Sequence, residues 1–248
     1  LVTSIKALCL ISLTFILSYL VSLLNSPTLN AALTPIYIND KKYEDKHEFS
    51  TFKKELDKLA LACTYVMKRG MDFHEHWHWS PHMHFANRII LPFYYKGNIV
   101  GYTARWCPDN RPDAMPKYYN NMPKNFVYNL DAQKTHDTVI VTEGQFDALQ
   151  MGGVALAGNT PNSTQCKIIE ELDKQIVLLP DFDKSGMDTV NVAVKRGWAV
   201  SFPEWEDDIK DASDAVMRYG RLFTVKSVLE SIESNATKIK ILAKARCR

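Results

Sequence analysis

Four carboxylates are notable for where they fall in the chain. The apolar run Val139-Ile140-Val141 passes through Thr142 into Glu143-Gly144-Gln145-Phe146-Asp147. A second run, Ile176-Val177-Leu178-Leu179, passes through Pro180 into Asp181-Phe182-Asp183-Lys184-Ser185-Gly186. Each run reads as a buried strand, and in a parallel α/β sheet the carboxyl ends of the strands form the rim where ligands bind. Asp181 and Asp183 are two apart, so on extended backbone both point the same way. Asp147 follows Glu143 by four, one helical turn if the helix starts at once. Acids gathered at one rim disfavour one another's ionised form. Hard divalent cations relieve that repulsion, and Mg²⁺ keeps waters that a phosphate can displace. Such ions can stabilise both the attacking and the leaving oxygen of an in-line phosphoryl displacement. The plainer role for Asp181 and Asp183 is to cap the following helix. Two acidic motifs, both at strand ends, favour the catalytic reading.

The elements that would position these groups alternate. Strands are expected at 138–142, 154–157, 175–179 and 198–202, with helices at 145–151, 164–172 and 186–195. That alternation predicts a parallel sheet covered by helices. Upstream, 47–68 has apolar residues at helical spacing and ends at Gly70, an amphipathic helix with a glycine stop. Runs 88–95 and 99–104, joined by Lys96-Gly97-Asn98, read as a hairpin. The Pro- and Asn-rich stretch 108–123 reads as loop.

Glu143-Gly144-Gln145-Phe146-Asp147-Ala148-Leu149, then Gly158-Asn159, then Asp181-Phe182-Asp183-Lys184-Ser185-Gly186, resembles the Toprim domain of primases, topoisomerases and some nucleases. The resemblance implies that Glu143, Asp147, Asp181 and Asp183 bind metal, with Glu143, Asp181 and Asp183 catalytic and Mg²⁺ or Mn²⁺ the cofactor. Asn87-Arg88-Ile89-Ile90-Leu91-Pro92, Gly101-Tyr102-Thr103-Ala104-Arg105 and Pro116-Lys117-Tyr118-Tyr119-Asn120 resemble the basic subdomain that precedes Toprim in bacterial and phage primases. The helix end Tyr65-Val66-Met67-Lys68-Arg69-Gly70 is similar to the segment before that block. Asp208-Ile209-Lys210-Asp211-Ala212-Ser213-Asp214 looks like an acidic element of phage primase-helicases. In family order these motifs span about residues 60–220.

The resemblance implies a nucleotidyltransferase that makes short RNA primers on single-stranded DNA from ribonucleoside triphosphates, beside a replicative helicase. Arg88, Arg105, Lys117 and Lys184 are the cations expected on phosphates, with Tyr118 and Asn120 near template or nucleotide. Two alternatives stand beside it: a Toprim nuclease, and a non-catalytic single-strand binding protein in which the acids only shape the rim. No Cys/His zinc module and no G-x-x-x-x-G-K-[ST] phosphate loop occur in the sequence, so a zinc module and a helicase motor are expected from partners or further chain.

The whole chain, 248 residues with a formal charge of +2, is long enough for one large or two small domains. Its charge is uneven. Between His84 and Tyr128 stand Arg88, Lys96, Arg105, Arg111, Lys117 and Lys124 against Asp109 and Asp113; after Glu233 come Lys238, Lys240, Lys244, Arg246 and Arg248 with no acid. Such patches suit a polyanion. The 5 cysteines are scattered, with no C-x-x-C pair, and predict a reduced, cytoplasmic setting. Residues 7–24 pull the other way, being almost wholly apolar or hydroxylic and similar to a signal peptide or a marginal membrane span. His74, His76, His78, His82 and His84 crowd one connector, read mainly as aromatic-rich linker and secondarily as a metal site.

The expected organisation is an apolar segment and linker (1–35), a helical and His-rich connector (36–84), a smaller basic β-containing subdomain (85–135), a Toprim-like parallel sheet flanked by helices (136–220), and a basic C-terminal helix (221–248).

Overall fold

The computed structural model describes residues 11–12, 46–71, 77–156, 158 and 160–247. Apart from 11–12, the apolar stretch 7–24 lies outside these residues, as do His74 and His76. Among the described residues no helix is long and apolar enough to cross a membrane.

The chain divides into two compact units, residues 1–67, 72–92 and 102–120 in one, and 68–71, 93–101 and 121–248 in the other. The first contains most of helix α1 (Lys46–Lys68). Its strands belong to a sheet ordered β1 (Ile11–Ser12), β2 (His78–Trp79), β3 (Arg88–Tyr95), β4 (Asn98–Trp106) and β5 (Tyr118–Asn121). The hairpin expected from the sequence is present, and its turn residues Lys96 and Gly97 both have positive φ (50° and 75°). That pairing of signs matches the right-handed twist of the flanking strands. Strand β5 departs from the loop expected over 108–123. The Trp106 amide donates to the Lys117 carbonyl at 3.0 Å, which zips the proline-rich return onto the edge of β4.

The second unit holds the expected alternation: β6 (Thr138–Thr142), α2 (Gln145–Met151), β7 (Val154–Ala155), α3 (Ser163–Glu170), β8 (Gln175–Leu178), α4 (Lys184–Arg196) and β9 (Ala199–Ser201). The segment 221–248, expected as one basic helix, is instead split. After α5 (Ala212–Tyr219) come α6 (Arg221–Glu230), a short strand β10 (Ile232–Glu233) and α7 (Ala236–Arg246). Asn235 interrupts the helical path by capping α7, its side chain accepting from the Thr237 and Lys238 amides.

Sheet order is β10-β9-β8-β6-β7. Strand β6 pairs parallel with β7 on one side and β8 on the other, β8 pairs parallel with β9, and β10 closes the edge antiparallel. The chain therefore changes direction of winding at β6, and in such sheets ligands bind beyond the carboxyl ends of the strands at the switch point. Val139, Val141, Val177, Leu178 and Val200 are wholly buried. Each such side chain contributes about 2 kcal/mol relative to exposure. This fixed register, Thr138 opposite Gln175 and Val141 opposite Leu178, decides which acids emerge side by side.

Candidate active site

The paired ends of β6 and β8 place Glu143 and Asp181 next to one another, with the Asp181 backbone amide donating to the Glu143 carboxyl. Glu143 is 7% exposed and is reached by two hydroxyls of α4, Thr189 Oγ1 donating to Oε1 at 3.2 Å and Ser185 Oγ to Oε2 at 3.5 Å. Burial pushes its carboxyl up to about 7, helped by the charge of Asp183, against the donors from Thr189, the Asp181 backbone and Ser185.

Asp183 is the N-cap of α4. Its Oδ1 accepts from the Ser185 amide (2.8 Å), the Ser185 hydroxyl (2.7 Å) and the Gly186 amide (3.2 Å). Burial raises its carboxyl, but these donors outweigh burial and hold it below the ordinary value. The capping role weighed from the sequence is thus real for Asp183. It does not extend to Asp181, whose carboxyl is driven up to about 9 by burial and then by the charges of Asp147, Glu143, Asp211 and Asp183.

Asp147, 8% exposed, lies in the first turn of α2 and turns toward α5, where the Ser213 amide (2.9 Å) and hydroxyl (2.7 Å) both donate to Oδ1. Burial still raises its carboxyl, against those donors and the charge of Arg69. Two glycines make this crowding possible without left-handed backbone. A Cβ at Gly144 would stand 2.5 Å from Asp147 Oδ2, and one at Gly186 would stand 2.0 Å from the Asp181 carbonyl oxygen. The second contact is with backbone and leaves no room to yield.

The site also contains groups that were not among the expected site residues. Asp211, the N-cap of α5, accepts from the Asp214 amide at 2.7 Å. Its carboxyl is raised to about 6 by burial and by Asp147. Its signal was present in the Lys210-Asp211-Ala212-Ser213 element, whose distance along the chain concealed that it joins the rim. Ser213 belongs to the same element and Arg69 to the Tyr65–Gly70 segment, whereas Thr189 had no motif to mark it. Chemically the rim offers only hard oxygen donors, and Asp181 is the acid least compensated by protein groups. Among the described residues no three His, Cys, Asp or Glu side chains are gathered tightly enough to hold an ion as they stand.

The basic candidates lie in the other unit, Lys184 excepted, which is exposed in the first turn of α4. Arg88 requires correction as a phosphate-binding residue. It is 0% exposed, with Nη1 donating to the Ala104 (3.0 Å) and Lys117 (3.3 Å) carbonyls and Nη2 to that of Pro116 (2.7 Å). Its guanidinium lies 3.7 Å from the centre of the Tyr119 ring. Burial pulls its pKa below the ordinary arginine value, partly offset by Tyr119. It ties β5 to β4 from within. Arg105 is half-buried, donating to the Tyr118 hydroxyl at 2.8 Å and lying over the Tyr118 and Tyr65 rings. Lys117 and Asn120 are exposed on β5 and its approach, with Asn120 accepting from the Thr103 hydroxyl at 2.6 Å. Arg105 and Lys117 both approach the Tyr118 ring, the Lys117 ammonium at 5.7 Å from its centre, and Asn120 follows two residues on along β5. Of the described histidines, His82 and His84 are exposed, their rings tilted at 34° with centroids 5.4 Å apart.

No family model matches the chain. Among solved structures, the RNA polymerase domain of the Mycobacterium tuberculosis primase DnaG superposes with a TM-score of 0.58 at 17% identity, covering 81% of this chain and 89% of that one. The fold is that of a primase catalytic core. A DnaG primase catalytic domain bound to single-stranded DNA aligns with a TM-score of 0.51 at 14% identity, over 80% of this chain and 75% of its own. In sequence, this primase-like chain is 30% identical to a DNA primase of Clostridium acetobutylicum over 132 residues, or 47% of its length. The match spans 21% of that relative, about a fifth of a longer protein.

Proposed function

We propose that this chain is a DNA-directed RNA polymerase of the primase type, joining ribonucleotides into short primers on single-stranded DNA. The observation that carries the reading is the rim itself: Glu143, Asp181 and Asp183 meet at the switch point of a primase-like sheet, with the Asp181 carboxyl raised to about 9 by burial and then by its acidic neighbours. A cluster so poorly compensated suits a divalent cation, and its donors are all hard oxygens, so the residues fit Mg²⁺ or Mn²⁺. Asp181 and Asp183 would hold the metal with Glu143 and Asp147, and Asp211 joins them as a further ligand. When bound, the metal supplies charge for the triphosphate and for the oxygens that enter and leave the phosphorus.

The chain's own groups do the remainder. Glu143, held by the Thr189 and Ser185 hydroxyls beside Asp181, is the carboxylate placed to exchange a proton with a primer hydroxyl. Ser213 and Thr189 keep Asp147 and Glu143 from collapsing onto other donors. Lys184 meets triphosphate oxygens from the exposed first turn of α4. In the unit containing β5, Arg105, Lys117, Tyr118 and Asn120 bind the template strand by backbone charge and ring stacking. Residues 136–220 form the Toprim-type catalytic segment and 85–135 the template-binding one. A replicative helicase, and a zinc module acting in trans or from further chain, complete the working assembly.

The test is incorporation of labelled ribonucleotides on single-stranded DNA with Mg²⁺ or Mn²⁺, for wild type, Asp181→Asn and Asp183→Asn. Metal-dependent oligoribonucleotides that vanish in both variants are expected. Metal-dependent cleavage of the template in their place would make the chain a nuclease. Binding without either activity, unchanged in the variants and after a primase zinc module is added in trans, would make it a binding protein.

A further inference from the structure

We propose that Arg246, at the end of α7, is a positioning residue for the Asp181/Asp183 pair, so that the C-terminal helix belongs to the catalytic apparatus. The inference rests on the reading of that pair as metal ligands. By sequence, Arg246 is one of several cations in an acid-free tail. In the fold it is set apart from them. Lys238, Lys240 and Lys244 are exposed, whereas Arg246 is drawn inward, with 22% of its side chain exposed. Its guanidinium bridges two backbone carbonyls, donating through Nη1 to Trp205 at 3.2 Å and through Nη2 to Pro203. The same group lies 5.4 Å from the centre of the Phe182 ring.

Phe182 is the residue between the two aspartates, so whatever fixes its ring fixes the backbone from which both carboxylates project. Three constraints meet on it. Its amide donates to the Lys210 carbonyl at 2.7 Å, its ring packs on Trp205 at 5.7 Å, and Arg246 spans Trp205 and the ring. Trp205 is itself anchored, its indole N–H donating to Ser227 Oγ at 2.9 Å. Only a planar fork can serve two carbonyls and an aromatic face at once, and a lysine ammonium cannot reproduce it. The Asp207 carboxylate, 3.9 Å away and fully exposed, adds little to the clamp.

The experiment measures Mn²⁺ binding by electron paramagnetic resonance, beside thermal unfolding, on the full chain. Variants are Arg246→Ala, Arg246→Lys, Asp207→Asn and Asp181→Asn. Arg246→Ala is expected to weaken Mn²⁺ binding roughly tenfold, the usual cost of losing a group that orients metal ligands. Arg246→Lys should recover most of the melting temperature yet only part of the Mn²⁺ affinity, a split that a purely structural role would not produce. Asp207→Asn should match wild type in both. Wild-type Mn²⁺ affinity in Arg246→Lys together with Arg246→Ala, or in Arg246→Lys alone if the alanine variant does not fold, overturns the proposal. If wild type has no Mn²⁺ site that Asp181→Asn removes, the reading of the aspartates falls first and takes this one with it.

Discussion

The acidic rim and the basic strands treat charge in opposite ways. At the rim, Asp181 has four acidic neighbours and a carboxyl pushed up to about 9. In the strands, Arg88 is matched by three carbonyls and an aromatic ring. One region stores repulsion that a ligand can relieve, and the other has spent its most buried charge on its own architecture. A charged residue in a motif therefore points to a ligand more strongly where the fold leaves its charge uncompensated, as at Asp181, than where carbonyls and a ring enclose it, as at Arg88.

The strongest way to break this contrast is at the rim. Asp181→Asn and Asp183→Asn should each lower metal-dependent ribonucleotide incorporation by roughly 100-fold or more, consistent with losing a group that stabilises transition-state charge. Unfolding curves should show Asp181→Asn no less stable than wild type in the absence of metal. In the strands the order is reversed. Arg88→Ala should cost about 3 kcal/mol of stability in denaturant unfolding, because it strands buried carbonyls and opens a cavity. A variant that unfolds like wild type would return Arg88 to the list of ligand-binding candidates.

Gly186→Ala should cost about 2 kcal/mol, since the added methyl meets the Asp181 carbonyl oxygen at 2.0 Å and the backbone must shift. Its Mn²⁺ affinity should fall as well, because the shifted backbone is that of Asp181.

Linkage between pH and metal sharpens the comparison further. The folded carboxyls of Asp181 and Glu143 are raised, to about 9 and about 7, so between the ordinary carboxylate range and those values the folded protein binds more protons than the unfolded chain. Metal-free stability should therefore be greatest at low pH within this window and decline as pH rises from about 4 toward 9. Mg²⁺ needs the ionised carboxylates, so it should raise the melting temperature more at pH 8.5 than at pH 6. Equal shifts at both values, measured by scanning calorimetry, would mean that the acids do not act as one site. The smallest effect belongs to Lys117→Ala, which should reduce the salt dependence of single-strand binding by about 0.7 in log–log slope, the share of one phosphate contact. An unchanged slope would remove Lys117 from the interface.

Much of the second unit was legible in the chain. Helix α2 begins and ends at the expected residues, and β6 and β8 agree to within one residue, because apolar runs bounded by glycine, proline and acid are local signals. The rim acids were legible for the same reason, since strand ends can be read without knowing the sheet. Strand β5 was not, because its pairing depends on Trp106 reaching Lys117 across a loop whose prolines read as irregular. The C-terminal segment kept its basic character in the sequence, but Asn235 as a cap and the pairing of β10 with β9 became visible only in the fold.

What the linear order of residues settled is therefore the alternation of strand and helix and the chemical type of the rim, both consequences of short-range pattern. Other features depended on groups distant in sequence meeting in space. Asp211 joins the acids although it follows Asp147 by 64 positions, Arg88 is sealed by residues of a later strand, and Arg246 reaches back to Phe182. Burial and the company of other charges decide whether a side chain is a ligand, a cap or a brace. Both arise from long-range packing, which local pattern does not encode.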